Sequence, residues 1–173
     1  DSVKSRGLGD VYKRQIGSIF TEFLKKSEFV INISNRKIIE GLMDQLKIID
    51  QKQKQKTLRA IDKLDKPGFG LKGVEDLLGK KRVDQSGAIT KGANLTEEQS
   101  SQILEFLKIK DIKELKQKIN NPLTNEGIKE LEELFEILSY GEYADQIKFT
   151  SSCIRGMDTV SYTHLRAHET SRN

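Results

Sequence analysis

Apolar residues recur along the chain with two different spacings, and the change between them marks the first predicted elements. Over residues 16–26 they recur every three to four positions, which predicts a helix with one apolar stripe. In the sequence EFVINIS that follows, residues 28–34, apolar and polar side chains alternate. Alternation is the period of a strand with one buried face, so a strand is predicted here.

From residue 35 to about residue 142 nearly every segment has helical spacing. Ser34 or Asn35 can cap the first of these helices, and Thr96 with Gln99 has the spacing of a capping box before a later one. The predicted inward-facing residues, in chain order, are Ile38, Ile39, Leu42, Leu46, Leu58, Ile61, Leu64, Ile103, Leu104, Leu107, Ile112, Leu115, Ile119, Ile128, Leu131, Leu134, Phe135 and Leu138. Breaks between helices are predicted at Pro67-Gly68, Gly79, Asn121-Pro122 and Gly141. Helix starts are predicted at Asp111 and Thr124, and a loop is predicted over residues 84–94.

The chain returns to strand spacing in QIKFTSSCI, residues 146–154. One early strand, a long helical excursion and one late strand are the pattern of an insertion into a sheet. The expected fold class is therefore α+β, with few strands and a large, mostly α-helical insertion. Most of the sheet that would receive both strands is missing from this sequence.

The two ends differ from the rest, because residues 1–15 and 159–173 show neither helical nor strand spacing. Both resemble translated library-adapter sequence, so we expect a non-native leader and a non-native tail. The alternative is a pair of ordinary disordered termini.

Charge and composition limit the function classes only weakly. The net charge of +4 falls to +1 for residues 16–158, so overall basicity is poor evidence for binding nucleic acid. No apolar run reaches the roughly 20 residues of a membrane span. The single cysteine, Cys153, excludes an intrachain disulfide framework and favours a reducing, cytoplasmic location.

Four segments carry a family resemblance: FVINISNRKI, LRAIDKLDKPG, DQSGAITKGANL and FTSSCIRGMD. Together they resemble the histidyl-tRNA synthetases, class II aminoacyl-tRNA synthetases, from just after the second class II motif to the Arg-Gly-Leu/Met-Asp signature. The resemblance covers residues 16–158. It implies a partial class II antiparallel sheet, with residues 16–34 and 143–158 in the catalytic core and residues 35–142 as the helical insertion.

The resemblance also implies a ligase that activates histidine with ATP, in the presence of Mg²⁺, and passes it to tRNA. Arg155 is then the candidate catalytic residue, because a fixed positive charge stabilises the phosphate oxygens as negative charge develops. Gly156 and Asp158 join it as candidate residues for binding histidine or the adenylate, whereas Thr159 and Val160 replace two tyrosines of the family pattern. From the residues alone, a surface salt bridge at a strand end is the favoured explanation of Arg155, and the motif resemblance reverses that preference.

Basic residues of the helical excursion are candidate contacts for the phosphates of tRNA, since the family's insertion lies near the acceptor arm. They are Lys52, Lys54, Lys56, Lys80, Lys81, Arg82 and Lys91. Such binding would weaken steeply with salt. The alternative is a solvated helix face, because acids are almost as numerous as bases, and these stretches contain no aromatic residue for reading RNA bases.

Other chemical patterns favour structural explanations. His164 and His168 have a helical metal-binding spacing, but they stand in the predicted non-native tail, and no metal site is expected. Cys153 has no histidine partner in the native part and is expected to pack as a small apolar side chain. The glycine-rich residues 68–73 lack the end of a phosphate loop and predict a turn between helices. At residues 35–37 a plain helix cap is favoured over a phosphate or RNA contact.

Three functions remain open from the sequence. The first is a fragment of a histidine–tRNA ligase. We expect it to be inactive alone, because it lacks the ATP-holding second and third motifs and the anticodon-binding domain. It also lacks the first motif, which forms the dimer interface in this homodimeric family. The second is a noncatalytic synthetase-like paralogue, which the intact insertion disfavours. The third is a helical tRNA- or protein-binding module formed by residues 35–142 alone.

Overall fold

A computed structural model describes residues 29–83, 87–141 and 144–154 in full and residues 163–169 as backbone. The helices are α1 (Arg36–Gln45), α2 (Gln51–Ile61), α3 (Gly70–Leu78), α4 (Glu97–Phe106), α5 (Ile112–Lys118) and α6 (Pro122–Ser139). The strands are β1 (Phe29–Asn35), β2 (Lys81–Val83), β3 (Ile89–Lys91), β4 (Ile147–Phe149) and β5 (Thr163–Glu169), and a 3₁₀ turn spans Ala144–Gln146. This mixture of helices with small sheets confirms the predicted fold class. The helix predicted over residues 16–26 lies outside the described residues.

A three-stranded sheet has the order β4-β1-β5, with β4 parallel and β5 antiparallel to β1. The predicted insertion pattern explains the parallel pair: β1 and β4 are joined by all the intervening helices, and parallel neighbours require such a crossover. Among the described strands, β1 and β5 form the expected antiparallel pair, and β4 adds a parallel one. In the register, Ile31 lies opposite Ile147 on β4 and Ala167 on β5.

The strand β5 lies within residues 159–173, where the sequence shows no strand spacing. Its residues 163–169 pair with β1 along the whole of that strand. Strand formation depends strongly on the neighbouring strand, and the free edge of β1 supplies one here. His164 and His168 therefore stand on an extended backbone, where the helical spacing of a metal pair does not apply.

Most predicted helix caps are confirmed. Asn35 caps α1, Asp111 caps α5, and Thr96 with Gln99 forms both bonds of the capping box of α4. The last helix begins two residues earlier than predicted, because Asn121 caps it and Pro122 occupies its first turn, where a missing N–H costs nothing. Asn121-Pro122 is therefore the start of α6.

Two other boundaries differ from the prediction. The helix α2 ends at Ile61 rather than near Pro67, and Leu64 packs against the core from the turns that follow. Part of the predicted loop at residues 84–94 is the strand β3, which pairs with β2 as a hairpin. Three-residue strands are too short for a periodicity to appear in the sequence.

One apolar core extends from the sheet through the helices. It includes Ile33 of β1, Ile39 of α1, Ile61 of α2, Ile103 of α4 and Ile128 of α6, each at most 1% exposed. The helices α1 and α6 pack closely at small residues. A Cβ added at Gly41 would lie 2.2 Å from Thr124 Oγ1, and the Thr124 hydroxyl donates to the carbonyl of Ile38 at 3.2 Å.

Candidate functional site

The segment that leads to Arg155 is fixed on both sides by hydrogen bonds. The backbone N–H of Thr150 donates to the carbonyl of Ile33 on β1 at 3.0 Å. The fully buried Ser151 hydroxyl donates to the carbonyl of Ile109, between α4 and α5, at 3.0 Å. Ile154 is 3% exposed. The chain therefore enters the signature from a position held by both the sheet and the helices.

The predicted site residues Arg155, Gly156 and Asp158 lie outside the described residues. Cys153, two positions earlier, is buried at 6% exposure. Its burial agrees with the expected packing role, and no nucleophilic role is indicated.

The end of β1 carries a polar network joined to α6. Asn35 is fully buried; its side-chain oxygen accepts from the N–H of Lys37 at 3.0 Å and its amide donates to Glu130 at 2.7 Å. The Lys37 ammonium donates to Glu126 at 2.6 Å and to Glu130. The bond to Glu126, followed by the bond to Glu130, raises the pKa of Lys37. In turn, the hydrogen bond from Lys37 lowers the pKa of Glu130. Two carboxylates already balance the charge of Lys37 at the start of α1. This agrees with the prediction that residues 35–37 form a plain helix cap and not a phosphate contact.

The three lysines of α2 have different surroundings. Lys54 forms an ion pair with Asp44 at 2.5 Å, and the Lys56 ammonium donates to the carbonyl of Gly92 at 3.0 Å. Lys52 is exposed, one helical turn before Lys56. Of the three, Lys54 is the least suited to a phosphate, because a neighbouring carboxylate already balances its charge.

The hairpin of β2 and β3 collects the remaining basic candidates. Lys80, Lys81 and Lys91 are exposed, and Lys81 lies directly opposite Lys91. Arg82 is only half-exposed, and its guanidinium carbon lies 3.8 Å from the ring centre of Phe69. The structure thus brings Lys81 and Lys91 together on the hairpin, with Lys80 exposed just before β2, and it places the Arg82 guanidinium on Phe69.

Two features were not predicted from the sequence. One is the Arg82–Phe69 contact, whose partners are distant in sequence and belong to no helical stripe. The other is a cavity of about 500 Å³ beside α4 and α5. It is lined by Leu42, Glu98, Ser101, Gln102, Glu105, Phe106, Ile109, Lys118 and Ile119.

The described residues contain neither a metal-binding cluster nor a helix suited to a membrane. No group of three or more His, Cys, Asp or Glu side chains there is placed to hold a metal ion. In the same part of the chain, no helix is long and apolar enough to cross a membrane. Gly68, in the turn before α3, and Gly70, the first residue of α3, have positive φ angles, as expected for a glycine-rich connection between helices.

Comparisons of sequence give one consistent family. No family model matches the chain. The histidine–tRNA ligase of Pelagibacter ubique is 66% identical over 134 residues, which are 78% of this chain and 29% of that protein. The histidine–tRNA ligase of Bartonella bacilliformis is 39% identical over 145 residues, again 78% of this chain and 29% of the relative. The resemblance predicted from the four motifs is confirmed, and the chain spans less than a third of the length of these relatives.

Solved structures agree with the sequence matches. Histidyl-tRNA synthetase from Nostoc sp. PCC 7120 has a TM-score of 0.68 at 25% identity, covering 90% of this chain and 36% of that one. A Bacillus halodurans C protein described as an ATP phosphoribosyltransferase regulatory subunit/histidyl-tRNA synthetase has a TM-score of 0.59 at 17% identity, covering 83% of this chain and 34% of that one. The second likeness shows the shared fold alone.

Proposed function

We propose that this chain, whose sequence matches part of the histidine–tRNA ligase family, supplies part of the catalytic core and the helical insertion of such a ligase. The reaction is activation of histidine by ATP, with Mg²⁺, to histidyl adenylate, followed by transfer of histidine to tRNA. The observation that carries the proposal is the 66% identity over 134 residues. This identity supports the ligase over the two alternatives, a noncatalytic paralogue and an independent helical module.

In this proposal Arg155 stabilises the negative charge that gathers on the α-phosphate when the histidine carboxylate attacks it. A guanidinium remains protonated at neutral pH and presents several N–H donors in one plane, which suits phosphate oxygens. Gly156 leaves room for the backbone to approach the ligand, and Asp158 contributes to the histidine pocket. The anchored residues 150–154 support the assignment, since an arginine acts on a transition state only from a fixed position.

The domain boundaries belong to the same proposal. Residues 16–34 and 143–158 are parts of the catalytic core, and residues 35–142 are the insertion. The parallel pairing of β1 with β4 supports this division, because it returns the chain to the sheet after the insertion. The complete enzyme is proposed to be a homodimer that acts in the cytoplasm.

The insertion is proposed to contact the tRNA backbone through the hairpin and the adjoining end of α2. Residues 79–83 and 87–95 carry four bases and no acid. Lys81 and Lys91 are exposed and opposite each other, an unfavourable arrangement within the protein that a bound phosphate would relieve. Lys52, Lys56 and Lys80 extend this basic surface, whereas Lys54 is already paired.

The experiment for the ligase proposal is histidine-dependent ATP–pyrophosphate exchange. A complete ligase carrying this sequence is compared with its Arg155→Ala and Arg155→Lys variants, and the 173-residue chain is assayed alone. We expect exchange by the complete enzyme to fall at least about a hundredfold in Arg155→Ala, the scale for removing one transition-state donor. Lysine should restore only part of the rate, because it lacks the planar fork.

The isolated chain should show no exchange above background. Histidine-dependent exchange from the chain alone would contradict the assignment of this sequence to part of the enzyme. A normal rate in Arg155→Ala would contradict the role of that residue. Failure of the complete enzyme to activate histidine would favour the paralogue.

A further inference from the structure

The basic hairpin has two faces with different side chains. Its outward face carries the exposed residues Lys81, Val83, Ile89 and Lys91. Arg82 lies between two of them on β2, and side chains alternate across a strand, so Arg82 belongs to the opposite face. There its guanidinium stacks on the Phe69 ring at 3.8 Å. Arg82 therefore does not share the surface that Lys81 and Lys91 form.

The stack depends on a missing side chain in α3. A Cβ added at Gly73 would lie 2.5 Å from Arg82 Nη1 and 2.7 Å from Phe69 Cδ1. Among the described residues, Arg82 Nη1 is buried without a hydrogen-bond partner. Contact with the aromatic ring is therefore what holds the guanidinium, since a cation is attracted to the face of the ring.

The hairpin needs such a contact because its own interactions are weak. Each strand has three residues, and an isolated two-stranded hairpin is marginal in water. Lys81 and Lys91 repel each other across the strands, and the Val83–Ile89 pair beyond them is 54% and 65% exposed.

The other attachments lie at the base of the hairpin. Gly92 N–H donates to the carbonyl of Lys80 at 2.9 Å, and Ala93 N–H donates to the carbonyl of Leu77 at 2.8 Å. These bonds hold the chain that follows β3 against α3. The contact of Arg82 with Phe69 is the side-chain attachment of β2 itself.

We infer that Arg82 is a positioning residue: its stack on Phe69, over Gly73, fixes the direction of the hairpin, so that Lys81 and Lys91 meet an anionic partner that Arg82 does not touch. That the anionic partner is tRNA rests on the proposed function. It reassigns Arg82, which the sequence grouped with the lysines as a phosphate contact.

The first test needs no RNA. Hydrogen exchange of backbone amides at residues 81–83 and 89–91 is measured in the full chain and in its Phe69→Leu, Arg82→Lys and double variants. Each single variant should exchange about tenfold faster there, and the double variant no faster than either, because both remove the same contact. Phe135→Leu is the matched control, since Phe135 also packs partly buried against the core, and its hairpin exchange should be unchanged.

Gly73→Ala provides a second route to the same result if Phe69→Leu does not fold. It keeps both partners and improves helix propensity, but it forces the guanidinium away from the ring. Hairpin exchange should again rise about tenfold. Unchanged exchange in both Phe69→Leu and Gly73→Ala, or fully additive effects in the double variant, would overturn the inference.

The second test separates positioning from direct contact, with a transcript of histidine tRNA as the probe. The dissociation constant is measured between about 50 and 200 mM salt. Phe69→Leu and Arg82→Lys should weaken binding by a similar factor with the salt slope unchanged, whereas Lys81→Gln should lower the slope by about one. Normal binding in both Phe69→Leu and Arg82→Lys, together with a lower slope in Arg82→Gln, would make Arg82 a phosphate contact instead. If the wild-type chain does not bind the transcript, the tRNA proposal fails, and the exchange experiment still decides the role of Arg82.

Discussion

Replacing Gly41 by alanine should destabilise the protein, although alanine is the better helix former. Gly41 lies inside α1, where the substitution by itself would stabilise the helix by about 1 kcal/mol. The new methyl group would stand 2.2 Å from Thr124 Oγ1, 2.8 Å from the Thr124 backbone nitrogen and 2.9 Å from Asn121 Oδ1. Rotation of the Thr124 side chain relieves the first contact, and rotation of Asn121 relieves the third only by breaking its cap to the N–H of Leu123. The contact with the Thr124 backbone nitrogen remains, so α6 must move away from α1.

The cost of that movement exceeds the gain in propensity. Overpacking a well-packed core costs about 1–3 kcal/mol, and contact with backbone atoms places this site near the upper end. We therefore expect a net loss of about 2 kcal/mol in the free energy of unfolding, equivalent to a fall of about 4–8 °C in Tm for a chain of this size. Urea unfolding followed by circular dichroism measures the first quantity and a thermal scan the second.

Two further variants make the test specific. In Gly79→Ala the added Cβ would meet the Asp76 carbonyl at 3.5 Å, an ordinary contact, so its stability should stay within about 0.5 kcal/mol of wild type. Combining Gly41→Ala with Thr124→Ala removes the closest clash, and the double variant should be about 1 kcal/mol more stable than the sum of the single effects. A Gly41→Ala protein as stable as wild type would refute the close approach of α1 and α6.

Two other predictions concern charge. Lys37 holds the pKa of Glu130 below its ordinary value of 4.5, so their interaction stabilises the fold above pH 4.5 and is lost as the pH falls through the lower, folded-state pKa. Glu130→Gln should therefore flatten the acid side of the stability–pH curve, measured by urea unfolding from pH 2 to 7. An unchanged curve would exclude the pair as a contributor to stability. Replacing both Lys81 and Lys91 by glutamine should lower the salt slope of tRNA binding by about two, because two phosphate contacts are lost. Tm should not fall, because the two lysines repel each other in the free protein. An unchanged slope in a filter-binding titration would show that the hairpin does not contact the RNA.

The helices were predictable because their signals are local. The stripe of α1 and the capping box of α4 need only residues within a few positions of one another, and both are confirmed. The start of α6 was misplaced because Asn121-Pro122 was interpreted as a break, although the same pair is a good cap and first helical residue. A proline next to a capping residue indicates a boundary without saying on which side the helix lies.

The contacts between elements could not be predicted in the same way. Phe69 and Arg82 are 13 positions apart, and neither belongs to an apolar stripe that would bring them together. The strand β5 is similar, because its sequence acquires strand structure from pairing with β1. The role proposed for Arg155 was predicted only through the family signature, since one arginine after a strand has no distinguishing physical pattern.

The helices and the sheet are joined by hydrogen bonds of two buried side chains, one at the end of β1 and one after β4. Asn35 joins the end of β1 to Glu130 of α6, and Ser151, after β4, joins the return segment to Ile109 between α4 and α5. Both side chains are fully buried, so breaking either bond would leave a polar group without water, at a cost of about 1–3 kcal/mol. The Asn35–Glu130 bond lies within residues 35–142, but an independent helical module with those bounds would lack Ser151 and would lose its bond to Ile109. The bond of Ser151 thus joins the return segment directly to the helices, on the side of the chain that leads into the signature.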